Sequence, residues 1–484
     1  MRPPSSGSEV PGGPAAGRAG AAFTEPATAP GEPGGGLFEP LSGGSAADAE
    51  LGDRAWLRAL LDAERALAVA GAGAGVVPAD AAEAIAKACE GADPDPAELG
   101  RRSTGAGNPV VPLVRELRAG LPAEIARWVH HGATSQDAMD TAASLVARRA
   151  LGPILADLAG AAGACARLAE AHRDTVMAAR TLGQQALPTT FGLRAAGWLV
   201  ALDEARQGLA EVAATRLAAQ LGGAAGTLAS LGDAGPEVAR RFAAELDLPE
   251  PTVPWHTARA RVAELAGAAG VTLGALGKIA LDVTLLAQTE LGEVTEAAEP
   301  GKGGSSTLPH KRNPITAVLI SAAARRAPGL VATLHASMAQ EHERATGAWH
   351  AEWEPLRELL RLLGGAAARG RELLDGLEVH PDRMRAGLDT TGGLLMAERV
   401  TARLAGALGK AEASDLVQRL SHEAAGSGRP LRELLLADPV AAELGEAEIG
   451  ELLDPGGYLG SAGVLVDRAL AAHRERSIRE RSDG

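Results

Sequence analysis

Aromatic residues are nearly missing from this chain: they make up 2% of its 484 residues, whereas hydrophobic residues as a class make up 46%. A core filled mainly by Ala, Leu and Val suits closely packed helices better than sheets, which favour aromatic and β-branched side chains. The expected fold class is all-α. Cysteine is also scarce. With only Cys89 and Cys165 present, neither a disulfide framework nor a CxxC site is available, and this usage fits a reducing cytosol. Positive charge is in deficit, with a formal net charge of −14, which argues against nucleic acid or an anionic membrane as a partner. An acidic substrate would then need a local basic pocket.

Other features are lacking as well. No uninterrupted apolar run reaches membrane-spanning length. Residues 1–36 combine many prolines with glycine, alanine and serine, and they lack the basic start, apolar block and cleavage context of a secretory signal. That composition predicts a disordered tail. No HExxH occurs, since the segment after His342 ends in Thr346, and the paired His130 and His131 make no convincing metal site. Neither a metal nor an organic cofactor is expected.

From about Leu37 the pattern is helical, with breaks at 71–75 and at Pro78. The intervals between Pro188 and Pro236 and between Pro254 and Pro300 contain no proline, and the second has room for a helix of about 40 residues, roughly 60 Å long. Helices of that length imply a bundle packed along its whole extent. Gly267, Gly270, Gly274 and Gly277 lie inside this interval, each weakening the helix by about 1 kcal/mol relative to alanine, so close packing or assembly must compensate. After about Gly370 the pieces become shorter. The expected division is a tail at 1–36, a helical domain at 37–130, a long-helix domain at 131–369 and a small helical domain at 370–484.

Between two apolar-periodic segments lies the stretch Gly301-Lys-Gly-Gly-Ser-Ser-Thr-Leu-Pro-His-Lys-Arg-Asn-Pro314. Its glycines allow the backbone to approach a ligand, and Lys311 and Asn313 supply charge and hydrogen bonds suited to a carboxylate. It is not a P-loop, because Lys302 is followed by glycine and preceded by a helical pattern. A solvated connection that happens to collect charges is the plainer alternative. Three further stretches carry polar groups. Asn108 precedes Pro109 and would cap a helix. In His130-His-Gly-Ala-Thr-Ser-Gln-Asp137, Thr134 or Ser135 would cap another, a geometry that also aims hydroxyls and amides at an incoming carboxylate. In Trp255-His-Thr-Ala-Arg259-Ala-Arg261, His256 and Arg259 are the better candidates for a cationic wall, against a buried satisfied histidine followed by surface arginines.

The stretch 304–314 resembles the signature GSSxMPxKxNP of the fumarase/aspartase superfamily, with leucine at 308 where methionine is usual. The segment 130–141 resembles that family's second conserved stretch. The segment 180–192 resembles the third, GRTHxQxAxPxTFG, which includes Gln184. The resemblance covers roughly 37–473 and implies a three-domain fold around a homotetrameric core of about twenty helices, with active sites shared between subunits. It implies Ser305 as the proton-transfer group, Lys311 as its catalytic companion, and Asn108, Thr134, Ser135, Gln184 and Asn313 as contacts to a small polycarboxylate, beside His256 and Arg259 as the cationic wall read from the residues themselves. One departure matters, because Leu182 occupies the position of a histidine found in many of these lyases. Further likeness at 223–230, 254–257 and 341–353 is to the lactonising branch of the superfamily, whose members close carboxymuconate to a lactone during aromatic breakdown. The alternative activity is an adenylosuccinate- or argininosuccinate-type lyase releasing fumarate.

Overall fold

The computed structural model describes residues 37–483 apart from 300, 305 and 306, with side chains to 479. The tail at 1–36 and the serine pair of the signature therefore lie outside the described residues. Nineteen α-helices and two two-stranded sheets make up the described chain. Nine helices matter here: α1 (Asp53–Gly73), α2 (Ala79–Gly91), α3 (Val110–Ala119), α4 (Ser135–Ala171), α5 (Phe191–Thr215), α6 (Ala260–Leu286), α7 (Ile315–Ala336), α8 (Ala348–Asp375) and α9 (Ala462–Asp483). The strands are β1 (Val176–Thr181), β2 (Gln184–Thr190), β3 (Val294–Thr295) and β4 (Glu378–Val379).

Helices α4 to α8 form the bundle: α4 packs on α5 and α8, α6 packs on α5 and α7, and α7 packs on α8. Each connection reverses direction, including the one from α5 to α6, where Arg261 bonds the carbonyls of Thr215 and Arg216, and this places the N-termini of α4, α6 and α8 at one end. The core is the expected one of small aliphatic residues, with Ala142, Ala161, Leu199, Leu273, Leu359 and Ala367 all buried. Close approach explains one of the glycines in α6: a Cβ at Gly277 would lie 2.5 Å from that of Ala324 in α7.

A second core, including Val400, Leu420, Leu435 and Ile449, is built by the short helices Ala397–Leu408, Lys410–Ser427, Leu431–Ala437 and Gly445–Leu453. The last helix leaves it. Val466, Ala469 and Leu470 of α9 join the large core, and His473 Nδ1 meets the buried Asp203 Oδ2 of α5 at 2.9 Å.

The structure corrects two expectations. Helix α6 spans 27 residues, not about 40, because the chain turns at 288–292, where Gly292 takes a left-handed φ of 59°, and then enters β3. The antiparallel hairpin of β1 and β2, with a bulge between Ala178 and Arg180, was not anticipated, since its residues do not alternate in polarity. By length and composition alone, α4, α6 and α7 would suffice to cross a bilayer, although scattered glycines and charges interrupt their apolar runs. Part of their apolar surface faces outward: Val271 is 65% exposed and Leu281 49%.

Candidate active site

The functional candidates fall into two clusters. The first surrounds the start of α4. Thr134 is its N-cap in a capping box with Asp137, whose Oδ2 accepts the Thr134 amide at 2.9 Å. Asp137, 1% exposed, also accepts the amides of Gly222 (3.0 Å) and Gly223 (2.9 Å) and meets His256 Nε2 at 2.6 Å. A Cβ at Gly222 would sit 2.8 Å from the His256 ring, so the loop fits only a glycine there. Ser135 begins the helix beside this knot, and both Thr134 and Ser135 remain half-buried. Asn108 caps α3, its Oδ1 accepting the amides of Val110 (3.1 Å) and Val111 (3.4 Å).

His256 and Arg259 are placed differently from the expected cationic wall. His256 is the buried, satisfied histidine, 4% exposed and held by Asp137. Arg259 is no surface arginine either. Its NH1 donates to Asp140 Oδ2 at 2.8 Å, its NH2 to Asp140 Oδ1 at 3.1 Å and Glu352 Oε2 at 2.5 Å, and its Nε to Glu352 Oε1 at 3.0 Å. The guanidinium lies 4.9 Å from the Trp255 ring centroid. Burial opposes its charge, but the two carboxylates raise its pKa above the ordinary value. Burial pushes Glu352 up, against the pull of Arg259. Trp349 Nε1 and Gln136 Nε2 complete the shell of Asp140. With each of its three guanidinium nitrogens bonded to a carboxylate inside the protein, Arg259 ties α4, α6 and α8 together.

The cation that sequence reasoning passed over is Arg344. Its guanidinium donates to Gln136 Oε1 (2.9 Å) and to the carbonyls of Gly223 (3.3 Å) and Ala224 (2.7 Å). All three are neutral acceptors, and among the described residues no carboxylate pairs with it, so its charge faces the start of α4 uncancelled. The signal available in the sequence was the likeness at 341–353, which includes Arg344. Nearby, His130 Nδ1 meets the buried Glu64 at 2.6 Å. Burial opposes the imidazolium, but Glu64 overcomes it and raises the pKa of His130.

The second cluster lies beyond the other end of α6. In the loop 301–314, Gly303 O accepts both the Asn313 amide (2.9 Å) and Asn313 Nδ2 (3.1 Å). Gly303 has φ 68°, and a Cβ there would come within 2.5 Å of Asn313 O. Only glycine closes this loop. A cavity of about 200 Å³ is lined by Glu296, Lys302, Gly304, Lys311, Arg312 and Asn313. Lys302 pairs with Glu372, whereas Lys311 is exposed. Ser305 lies outside the described residues. At the same end the turn of the β1–β2 hairpin exposes Leu182, Gly183 and Gln184, and Leu182 is fully exposed at φ 51°. Left-handed φ at both Leu182 and Gly183 is what a two-residue hairpin turn requires, yet leucine pays about 1–2 kcal/mol for it. Within one chain the two clusters are separated by the length of α6, about 40 Å for its 27 residues. The chain thus brings Thr134 together with His256, and Lys311 with Asn313, but does not bring the two pairs together.

Among the described residues no group of three or more His, Cys, Asp and Glu side chains converges to hold a metal ion. Residues 45–329 match the family described as lyase, and residues 393–469 match the adenylosuccinate lyase C-terminus. The chain belongs to the fumarase/aspartase superfamily. Nitrosuccinate lyase from Streptomyces davaonensis is 50% identical to this superfamily member over 92% of this chain and 96% of its own. A 3-carboxy-cis,cis-muconate cycloisomerase from Pseudomonas aeruginosa is 48% identical over 90% of this chain and 96% of its own. The crystal structure of the 3-carboxy-cis,cis-muconate lactonizing enzyme from Pseudomonas putida superposes with a TM-score of 0.85 at 44% identity, covering 91% of this chain and 99% of that one.

Proposed function

We propose that this protein is a cycloisomerase that closes 3-carboxy-cis,cis-muconate to a carboxymuconolactone, working as a cytoplasmic homotetramer in protocatechuate breakdown by the β-ketoadipate route. In this reaction the nucleophile is the substrate's own carboxylate, with a pKa near ~4, ionised at neutral pH and held close to the double bond. No enzyme base is needed to activate it. Negative charge then develops toward the neighbouring carboxylate as an enediolate. Lys311, Asn313 and the hydroxyls at 134 and 135 stabilise that charge, with Arg344 adding its uncancelled positive charge, and Ser305 delivers a proton to carbon.

The observation that carries this reading is Leu182. Expulsion of an amine benefits from an acid that titrates near neutrality, as histidine does, and leucine has no proton to give. This disfavours adenylosuccinate- and argininosuccinate-type cleavage. The same observation admits a second reading, nitrosuccinate cleavage to fumarate and nitrite, because nitrite is a weak base that departs without being protonated. The likeness to the Streptomyces davaonensis protein supports that reading, and the likeness to cycloisomerases in both sequence and structure supports the first.

The tetramer with shared sites is supported by the separation of the two clusters along α6 and by the outward apolar residues of α6 and α7. An antiparallel neighbour would bring one chain's signature loop to another's α4 start. The test incubates the purified protein separately with carboxymuconate, nitrosuccinate, adenylosuccinate and argininosuccinate, following diene absorbance, nitrite and fumarate. Lactone formation exceeding every cleavage in kcat/KM supports the first reading. Efficient nitrite release without lactone replaces it by the second, and cleavage of a succinyl substrate refutes both.

A further inference from the structure

Two carboxylates at the signature end have no part in the chemistry above, and both belong to the tetrapeptide 293–296. Glu293, 1% exposed, receives a two-pronged pair of hydrogen bonds from Arg180: NH2 to Oε1 at 2.8 Å and NH1 to Oε2 at 2.9 Å. Arg180 belongs to β1, two residues before Leu182 at the hairpin tip. Glu296 reaches the other way. Its Oε2 accepts the amide of Thr316 at 3.1 Å and its Oε1 that of Ala317 at 2.9 Å, in the first turn of α7 and three and four residues beyond Asn313. A carboxylate there satisfies two otherwise unpaired N–H groups and complements the positive end of the helix.

The backbone between the two acids is itself held. Val294 and Thr295 pair with Val379 and Glu378, Glu293 N donates to Leu286 O at 2.9 Å, and Glu293 O accepts from His380 N at 3.0 Å. In an extended segment, side chains three positions apart project to opposite faces, which is how one short stretch grips the hairpin on one side and α7 on the other. Glu296 also lines the cavity shared by Lys311 and Asn313.

We propose that Glu293 and Glu296 are positioning residues acting as a pair: Glu293 fixes the hairpin that presents Leu182 and Gln184, Glu296 fixes the signature loop that presents Lys311 and Asn313, and the tetrapeptide between them makes the two elements move as one body. This rests on the reading of loop and hairpin as substrate-handling elements. An ordinary helix cap would affect the stability of α7 alone. A coupled pair lets a change at the hairpin be felt at the loop.

The experiment uses the full-length protein and trypsin, which cleaves after the exposed Lys311 and Arg312 only when the loop opens. Cleavage at these two sites is followed by mass spectrometry, beside Tm and steady-state kinetics with the substrate identified above. Glu296→Gln is expected to speed cleavage at 311 and 312 by about tenfold and to lower kcat/KM by a similar factor, with Tm within about 2 °C of wild type. Glu296→Asp, which keeps the charge, should recover part of both. The deciding variant is Arg180→Gln with Glu293→Gln, which removes both charges so that none is stranded in the interior, and is expected to speed the same cleavage by about threefold. Unchanged cleavage at 311 and 312 in this double variant overturns the coupling. A Glu296→Gln protein with lowered Tm but wild-type cleavage and kinetics reduces Glu296 to a helix cap and also overturns it. Because trypsin reports on the loop directly, a protein inactive on every substrate tested would sink the functional reading and leave this one standing or falling on the cleavage rates.

Discussion

Replacing Arg259 by methionine should unfold the protein sooner long before it reveals anything about substrate. The guanidinium is 3% exposed and bound to Asp140 and Glu352, which are themselves 4% and 3% exposed. Methionine fills most of the volume but leaves two carboxylates facing each other without a cation. Removing one partner of a buried ion pair costs about 3–5 kcal/mol. An unfolding entropy of about 2.1 cal/mol/K per residue gives roughly 1 kcal/mol/K for 484 residues, so the expected loss in Tm is about 3–5 °C by calorimetry. The triple variant Arg259→Met, Asp140→Asn, Glu352→Gln should recover most of that loss, since the penalty lies in stranded charge and not in shape. A single variant that kept the wild-type Tm while KM rose tenfold would refute the reasoning and return Arg259 to the substrate.

Three other outcomes are expected. Leu182→His restores an acid at the hairpin tip and should raise the rate of succinyl-substrate cleavage above background by about tenfold or more, measured as fumarate release; no gain would remove position 182 from control of the reaction. His130, whose pKa is raised by Glu64, contributes stability that is fully present below pH ~6.5 and is lost as pH rises through its higher folded value. The Tm advantage of wild type over His130→Gln should therefore shrink between pH 5.5 and 8.5, and a constant gap would contradict the ion pair. Gly303→Ala forces a Cβ onto Asn313 O at a left-handed φ, and is expected to lower kcat/KM by about tenfold or more with little change in Tm, because the strain stays within the loop.

The helical class and the long bundle were legible because small aliphatic residues recur at helical spacing with so few aromatics. A helix start at Thr134 or Ser135 was legible too, and the capping box with Asp137 decides for Thr134. What lay beyond the sequence was which polar residues would be consumed internally. Arg259 and Arg344 look alike in one dimension, and only tertiary packing gives the first to Asp140 and Glu352 and leaves the second with neutral partners. The hairpin escaped because a strand pair held by Arg180 and Glu293 needs no alternating polarity. The end of α6 at Leu286 escaped because no proline marks it. Its stop is set by Gly292 and by the pairing of β3 with a strand more than eighty residues away.

Helix α6 also acts as a ruler. From Ala260, just after His256, to Leu286, before the turn and strand that lead to the loop carrying Lys311, runs an uninterrupted stack of peptide hydrogen bonds, and in such a stack one inserted or deleted residue shifts everything beyond it by about 1.5 Å and turns it by about 100°. A loop inserted elsewhere can be absorbed at the surface, but no slack exists here: a single-codon deletion early in α6 would swing β3 off β4 and turn Gly277 off Ala324. A change in length is therefore accommodated at the turns and in the small C-terminal core, while the bundle tolerates substitution alone.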